Sequence, residues 1–146
     1  MPVSGTRLVD SNLWLALCFG GHLHHELTAS WFDSLNPGEA GFCRITQLAL
    51  LRHLTNTVIM GEAVLSQRRA WACFDRLFAD DRVIFLEEPD GLDVRWRQLP
   101  RSNEPIQRLW TDAYLAAFAL AAGIHLSTID QDFASFSGVA IELLRA

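Results

Sequence analysis

Apolar residues recur along the chain in two rhythms, short unbroken runs and longer stretches with apolar positions three and four apart, and the two alternate. The first run, Arg7-Leu8-Val9, reads as a strand that stops at Asp10. Ser11 or Asn12 then caps a helix carrying Leu13, Trp14, Leu17 and Cys18 as far as Gly20-Gly21. From His22 to Ser34 the spacing of Leu23, Leu27, Trp31, Phe32 and Leu35 predicts a second helix, stopped by Asn36-Pro37-Gly38. Ala40 to Ile45 is a short apolar segment. Thr46 is the expected cap of a third helix bearing Leu48, Leu51, Leu54 and Thr55, with Gln47 in its first turn. Ser66 to Ala79 places Ala70, Trp71, Phe74, Leu77 and Phe78 on one helical stripe, and Val83-Ile84-Phe85-Leu86 follows as a strand.

Gly91 to Pro105 is the least apolar part and predicts a short helix and an irregular loop. Trp110 to Ala122 is the clearest helix: Thr111 caps it, Asp112 opens it, Leu115, Phe118, Ala119 and Ala122 form its buried stripe, and Gly123 ends it. His125 to Ile129 reads as a strand ending on Asp130, followed by a turn over Asp132 to Phe136 and an edge strand over Val139 to Leu143. Alternating strands and helices predict an α/β fold. With no repeats, low-complexity tracts or linker-like segments, the expectation is one domain over residues 1–146.

Composition narrows the picture. A chain of 146 residues, 50% hydrophobic and 20% charged, matches one domain of common size. Its net charge is -5, and all twelve bases are arginine, which argues against indiscriminate coating of nucleic acid or an anionic membrane. The longest apolar stretch, Ala113 to Ile124, falls short of the roughly 20 residues that span a bilayer. Cys18, Cys43 and Cys73 are odd in number, lack CxxC spacing and sit among apolar neighbours, as reduced core residues of a cytoplasmic protein would.

The chemistry-bearing candidates are acids at element ends. Asp10 and Asp130 each follow a strand-like run, and Asp112 opens the helix before the second of them. In open parallel sheets ligands bind outside the carboxyl ends of the strands, so the three can converge there. Carboxylates that close raise one another's pKa, and a hard cation such as Mg²⁺ or Mn²⁺ is the usual counter-charge. Each acid taken singly is equally a cap or a turn former.

Taken together, four blocks resemble the PIN-domain nucleases, and among them the VapC-type toxins of bacterial toxin–antitoxin pairs. They are Leu8-Val9-Asp10-Ser11-Asn12-Leu13-Trp14, Thr46-Gln47-Leu48-Ala49-Leu50-Leu51-Arg52, Thr111-Asp112-Ala113-Tyr114-Leu115-Ala116-Ala117 and Ser127-Thr128-Ile129-Asp130-Gln131-Asp132-Phe133, in the family's order. The resemblance implies a mainly parallel sheet of about five strands flanked by helices, and Mg²⁺-dependent hydrolysis of RNA phosphodiesters, with Mn²⁺ as a substitute. It makes Asp10, Asp112 and Asp130 catalytic, with Asp10 and Asp112 as the metal ligands. Asp130 assists through water, and Asn12 and Thr128 orient the carboxylates. It also implies a homodimer and a cognate antitoxin whose C-terminal segment lies in a groove of the toxin. Gln47 departs from the pattern, since many members carry Glu there. The lost charge favours one dominant metal over two, and it keeps open an alternative, a catalytically weakened module that binds RNA or protein. Asp132 reads as an exposed turn acid or as the missing charge.

Other constellations are weaker. His22, His24 and His25 have no second ligand pair at zinc-finger spacing and read as solvated residues at a helix start. No GxSxG or Gly-rich phosphate loop occurs. Arg95, Arg97, Arg101 and Arg108, with Trp96 and Trp110 among them, form either an RNA-guiding rim or an ordinary solvated face. Setting aside Asp10, Asp112, Asp130 and Asp132 leaves thirteen acids against twelve arginines, so the excess charge is concentrated in the acidic site.

Overall fold

A computed structural model describes residues 3–99 and 106–145. Five strands, β1 (Arg7–Val9), β2 (Ala40–Phe42), β3 (Val83–Phe85), β4 (His125–Thr128) and β5 (Ile141–Leu143), form a wholly parallel sheet in the order β3-β2-β1-β4-β5. Between them run α1 (Ser11–Cys18), α2 (His25–Asp33), α3 (Arg44–Leu54), α4 (Thr57–Met60), α5 (Gln67–Phe78), α6 (Leu92–Gln98) and α7 (Leu109–Ala122). Parallel pairing demands crossovers, and helices serving as crossovers cover both faces of the sheet.

The period-2 alternation of the strands assigns each face its own core. In β1, Leu8 points to the layer built from α6, α7 and β4, where it meets Leu115, Phe118 and Leu126. Its neighbour Val9 joins Leu13, Trp14, Phe42, Leu50 and Phe74 under α1, α3 and α5. Trp14 and Phe42 are fully buried and stack with ring centroids 3.8 Å apart. Gly41, between Ala40 and Phe42, faces the opposite layer, where a Cβ would collide with Leu86 and come within 3.0 Å of the Arg7 carbonyl oxygen. A side-chain-free position is therefore needed for β1, β2 and the residue after β3 to pack.

Helix starts differ from the expectations in an informative way. The N-cap of α1 is Asp10 itself, not Ser11 or Asn12, because the chain turns directly out of β1 and the carboxylate accepts from the Ser11 amide at 2.8 Å. Likewise α3 begins as soon as β2 ends. Thr46 thus sits inside the first turn, and its hydroxyl accepts from the Cys43 amide at 3.0 Å. The start of α7 has no side-chain cap: Arg108 is already in the helical region, and Thr111 lies exposed one turn in. The histidine segment forms a turn, and α2 starts at His25, whose Nδ1 lies 2.7 Å from the Ala16 carbonyl oxygen and ties α2 to α1. Trp71 is half exposed because only Ala70 and Phe74 of the α5 stripe reach the core. No described helix is long and apolar enough to cross a membrane.

Gly41→Ala forces Leu86 or β1 aside and is expected to lower the unfolding free energy by about 1–3 kcal/mol, read as a lower urea midpoint with an unchanged slope.

Candidate active site

The strand order reverses direction at β1. The chain builds β2 and β3 on one side of it, then crosses over to place β4 and β5 on the other. Two connections leave in opposite directions from the carboxyl ends of β1 and β4, which opens a crevice between them, the usual ligand site of such sheets. Register sets Val9 beside Ser127, so the next residues, Asp10 and Thr128, face each other across this crevice.

Thr128 is wholly buried, and its hydroxyl donates to Asp10 Oδ2 at 2.8 Å. Thr128 Oγ1 in turn accepts from the Asp130 amide at 2.9 Å and from Asn12 Nδ2 at 3.4 Å. One hydroxyl thereby links the ends of β1, α1 and β4. With the Ser11 amide on Oδ1, both oxygens of Asp10 are oriented and its χ angles are fixed. Asn12 Oδ1 is buried and, among the described residues, lacks a hydrogen-bond partner. A polar oxygen of this kind needs water or an ion.

Asp112 lies in the first turn of α7, where the positive end of the helix favours its ionised form. Asp130 follows β4 and caps a 3-10 turn over Gln131–Ser135, accepting from the Asp132 amide at 2.9 Å. The acids sense one another. Burial pushes Asp10 up to about 6, the Thr128 and Ser11 hydrogen bonds oppose this, and the charges of Asp112 and Asp130 add to it. Asp112 is raised as well, first by burial and then by the charge of Asp130, with Arg108 opposing.

Asp132 is exposed and pairs with Arg108 at 3.0 Å. That contact occupies its charge and sets a guanidinium beside Asp112, a link that no local sequence pattern announced. Gln47 is buried, and its Oε1 accepts from Arg44 Nη1 at 2.6 Å, an amide contact that needs no charge. Arg95, Arg97 and Arg108 are exposed, whereas Arg101 lies outside the described residues. Trp96 is half buried against Trp110, which stays 68% exposed two residues before Asp112.

Among the described residues no three His, Cys, Asp or Glu side chains gather closely enough to enclose an ion by themselves. A donor set of the two raised carboxylates of Asp10 and Asp112, with Asp130 beside them and the unpartnered amide oxygen of Asn12, suits a hard cation that keeps several waters.

A family model described as "PIN domain" matches residues 7–139. The chain belongs to the PIN-domain family. Ribonuclease VapC41 of Mycobacterium tuberculosis is 44% identical over 142 residues, covering 94% of this chain and 97% of that protein. Among solved structures, two illustrate the shared fold. One is Mycobacterium tuberculosis VapC20, a Sarcin-Ricin loop cleaving toxin, with a TM-score of 0.62, 19% identity and coverage of 92% of this chain and 98% of that one. The other is a toxin–antitoxin complex from Klebsiella pneumoniae, with a TM-score of 0.55, 19% identity and coverage of 92% and 96%.

The raised carboxyl of Asp10 costs the PIN fold stability. Folding binds a proton more tightly here, so this contribution is fully present below about pH 3.8 and is lost as pH rises through about 6. In EDTA, Asp10→Asn should remove that pH-dependent term, on the order of 2–3 kcal/mol, and flatten the change in urea stability between pH 4 and 7. Parallel curves for the two proteins would contradict the burial account.

Proposed function

We propose that the chain, acting as one domain over residues 1–146, is an Mg²⁺-dependent endoribonuclease and the toxic member of a type II toxin–antitoxin pair. The 44% identity with Ribonuclease VapC41 over nearly all of both chains carries the activity. Divalent-metal dependence is general among VapC ribonucleases of this family. Asp10, Asp112 and Asp130 are the catalytic residues on this reading. Asp10 and Asp112 would hold the cation, Mg²⁺ or Mn²⁺, which when bound lowers the pKa of a water and neutralises charge on the phosphate.

The chain's own residues supply the rest. Thr128 aims Asp10 and leaves a lone pair of Oδ2 toward the crevice. Asn12 offers its unpartnered oxygen to a water there, and Asp130, anchored through its amide to Thr128, orients a second water by its free oxygen. The Arg108–Asp132 pair keeps a cation at the rim where an RNA phosphate would arrive.

A cognate antitoxin and a homodimeric state are the expected partners. They are supported by the toxin–antitoxin neighbour and by apolar side chains left open on α3, α4 and α5: Leu48, Val58, Ile59 and Trp71. On this reading the cytoplasm is the expected location; among the described residues no helix is long and apolar enough to cross a membrane. One observation favours the second reading, a catalytically weakened binding module: Gln47 brings no charge where many family members have Glu, and its amide is held by Arg44.

The two readings separate on cleavage of a mixed-sequence RNA. Wild type should cut with Mg²⁺ and stop cutting in EDTA, and Asp10→Asn or Asp112→Asn should abolish cutting while still folding. Undiminished cleavage by either variant would remove that residue from the site. Thr128→Val retains the carboxylates but loses their orientation, and should cost roughly 10–100-fold in activity, with most of the loss recovered by Thr128→Ser.

A further inference from the structure

On the same carboxyl edge of the sheet, displaced from the acids toward β3, lies a cavity of about 340 Å³, and the catalytic reading gives it no role. Register locates it. Parallel pairing puts Cys43 beside Asp10 and Leu86 beside Cys43, so the residues after β2 and β3 lie one and two strand spacings from Asp10, roughly 5 and 10 Å. That is the distance over which a nucleotide flanking a phosphate held at Asp10 would present its base.

The lining fits a base better than a phosphate or a purely apolar group. Phe85, part-exposed, and the buried rings of Tyr114 and Phe118 form its wall, and Glu87 and Glu88 supply carboxylates that only accept hydrogen bonds. Tyr114 Oη donates to Glu88 Oε1 at 3.0 Å and sets the direction of that side chain. Among the described residues neither Glu87 nor the second oxygen of Glu88 has another hydrogen-bond partner. Tyr114 is itself held by Trp96, edge-on at 5.3 Å. Arg44, also in the lining, lies over the Phe85 ring at 4.7 Å and is tethered by Gln47, so its guanidinium is fixed in the cavity wall. Two carboxylates repel a phosphate from the cavity, while Arg44 attracts one to its mouth.

Guanine alone among the standard bases carries two adjacent donors, N1–H and N2–H, on its Watson–Crick edge. A carboxylate accepts both at once, whereas adenine and cytosine offer one donor beside an acceptor, and uracil one donor between two acceptors. We propose that the Arg44–Phe85–Glu88–Tyr114 cavity is a guanine subsite that selects an unpaired guanosine next to the scissile phosphate. Contact with the aromatic wall and the Arg44 guanidinium gives it affinity, and Glu88 gives it specificity. The proposal rests on the ribonuclease reading for its biological use, but the binding it asserts needs no metal and no turnover.

The test is calorimetric titration of the full-length chain in EDTA with guanosine, adenosine, cytidine and uridine 5′-monophosphates. The guanosine nucleotide should bind roughly tenfold tighter than the other three. Glu88→Gln, a change at an exposed position, should erase that preference, and Tyr114→Phe, which keeps the ring but frees Glu88, should weaken it. Equal affinities, no binding at millimolar nucleotide, or a preference that survives Glu88→Gln would overturn the proposal. Tighter binding of N-acetylargininamide than of any nucleotide would also overturn it, by assigning the cavity to a peptide arginine. With Mg²⁺ and mixed-sequence RNA, wild type should cut beside G, and Glu88→Gln should keep cutting without that bias. Failure of wild type to cut any RNA would instead defeat the ribonuclease reading while leaving the nucleotide titration to stand.

Discussion

A single buried hydrogen bond, from the Thr128 hydroxyl to Asp10, joins the ends of β4 and β1 across the point where the sheet reverses its direction of growth. The residues it connects are 118 positions apart, yet adjacent in space because β1 and β4 pair in register from Arg7 to Val9. Its one oxygen donates to Asp10 and accepts from the Asp130 amide and from Asn12. That is all the hydrogen-bonding capacity a threonine has. An exposed side chain in this role would exchange its partners with water. Threonine at 0% exposure does not, and the carboxylates it aims keep their directions.

The same burial that fixes Asp10 is also what makes it costly. Desolvation outweighs the two hydrogen bonds that favour its charge, and Asp112 and Asp130 add repulsion. The fold tolerates this because two apolar layers, one on each face of the sheet, are packed independently of the crevice. Instability is confined to the carboxyl edge, where the acids remain available to a cation. The net charge of -5 has the same origin: outside the acidic site, arginines nearly balance the remaining acids. The surface at large is close to neutral, so the acidic crevice is its main concentration of charge.

Much of this was legible along the chain. Strands β1, β2 and β3 appear as short apolar runs, and α1, α3, α5 and α7 follow from three-and-four spacing, since burial of one helical stripe imposes that rhythm. Helix starts were less legible: where a strand feeds a helix without a loop, as at Asp10 and Cys43, the cap is whichever residue leaves the sheet, not the nearest hydroxyl. The four-residue α4 carries too short a pattern to register. Trp71 looked like core from its spacing, but only packing decides which edge of a stripe is covered. In the site, Asp10, Asp112, Asp130, Asn12 and Thr128 stood out because each sits at an element end in a recognisable block. Arg108–Asp132 and Arg44–Gln47 did not. The first joins residues 24 apart, and the second is a local pair whose meaning depends on the cavity beside it.

By itself the sequence determined the α/β alternation, the elements that carry the acids, the neutral substitution at Gln47 and the family, because these depend on residue type and local period. Tertiary structure decided the strand order, and through it everything about the site that involves proximity. Asp10 and Thr128 face each other only because β4 inserts beside β1, and the cavity of Glu88 and Tyr114 lies next to the acids only because β2 and β3 fall on the other side. Pairing order and register are set by how whole layers bury their faces, a sum over distant contacts that no local stretch of the chain records.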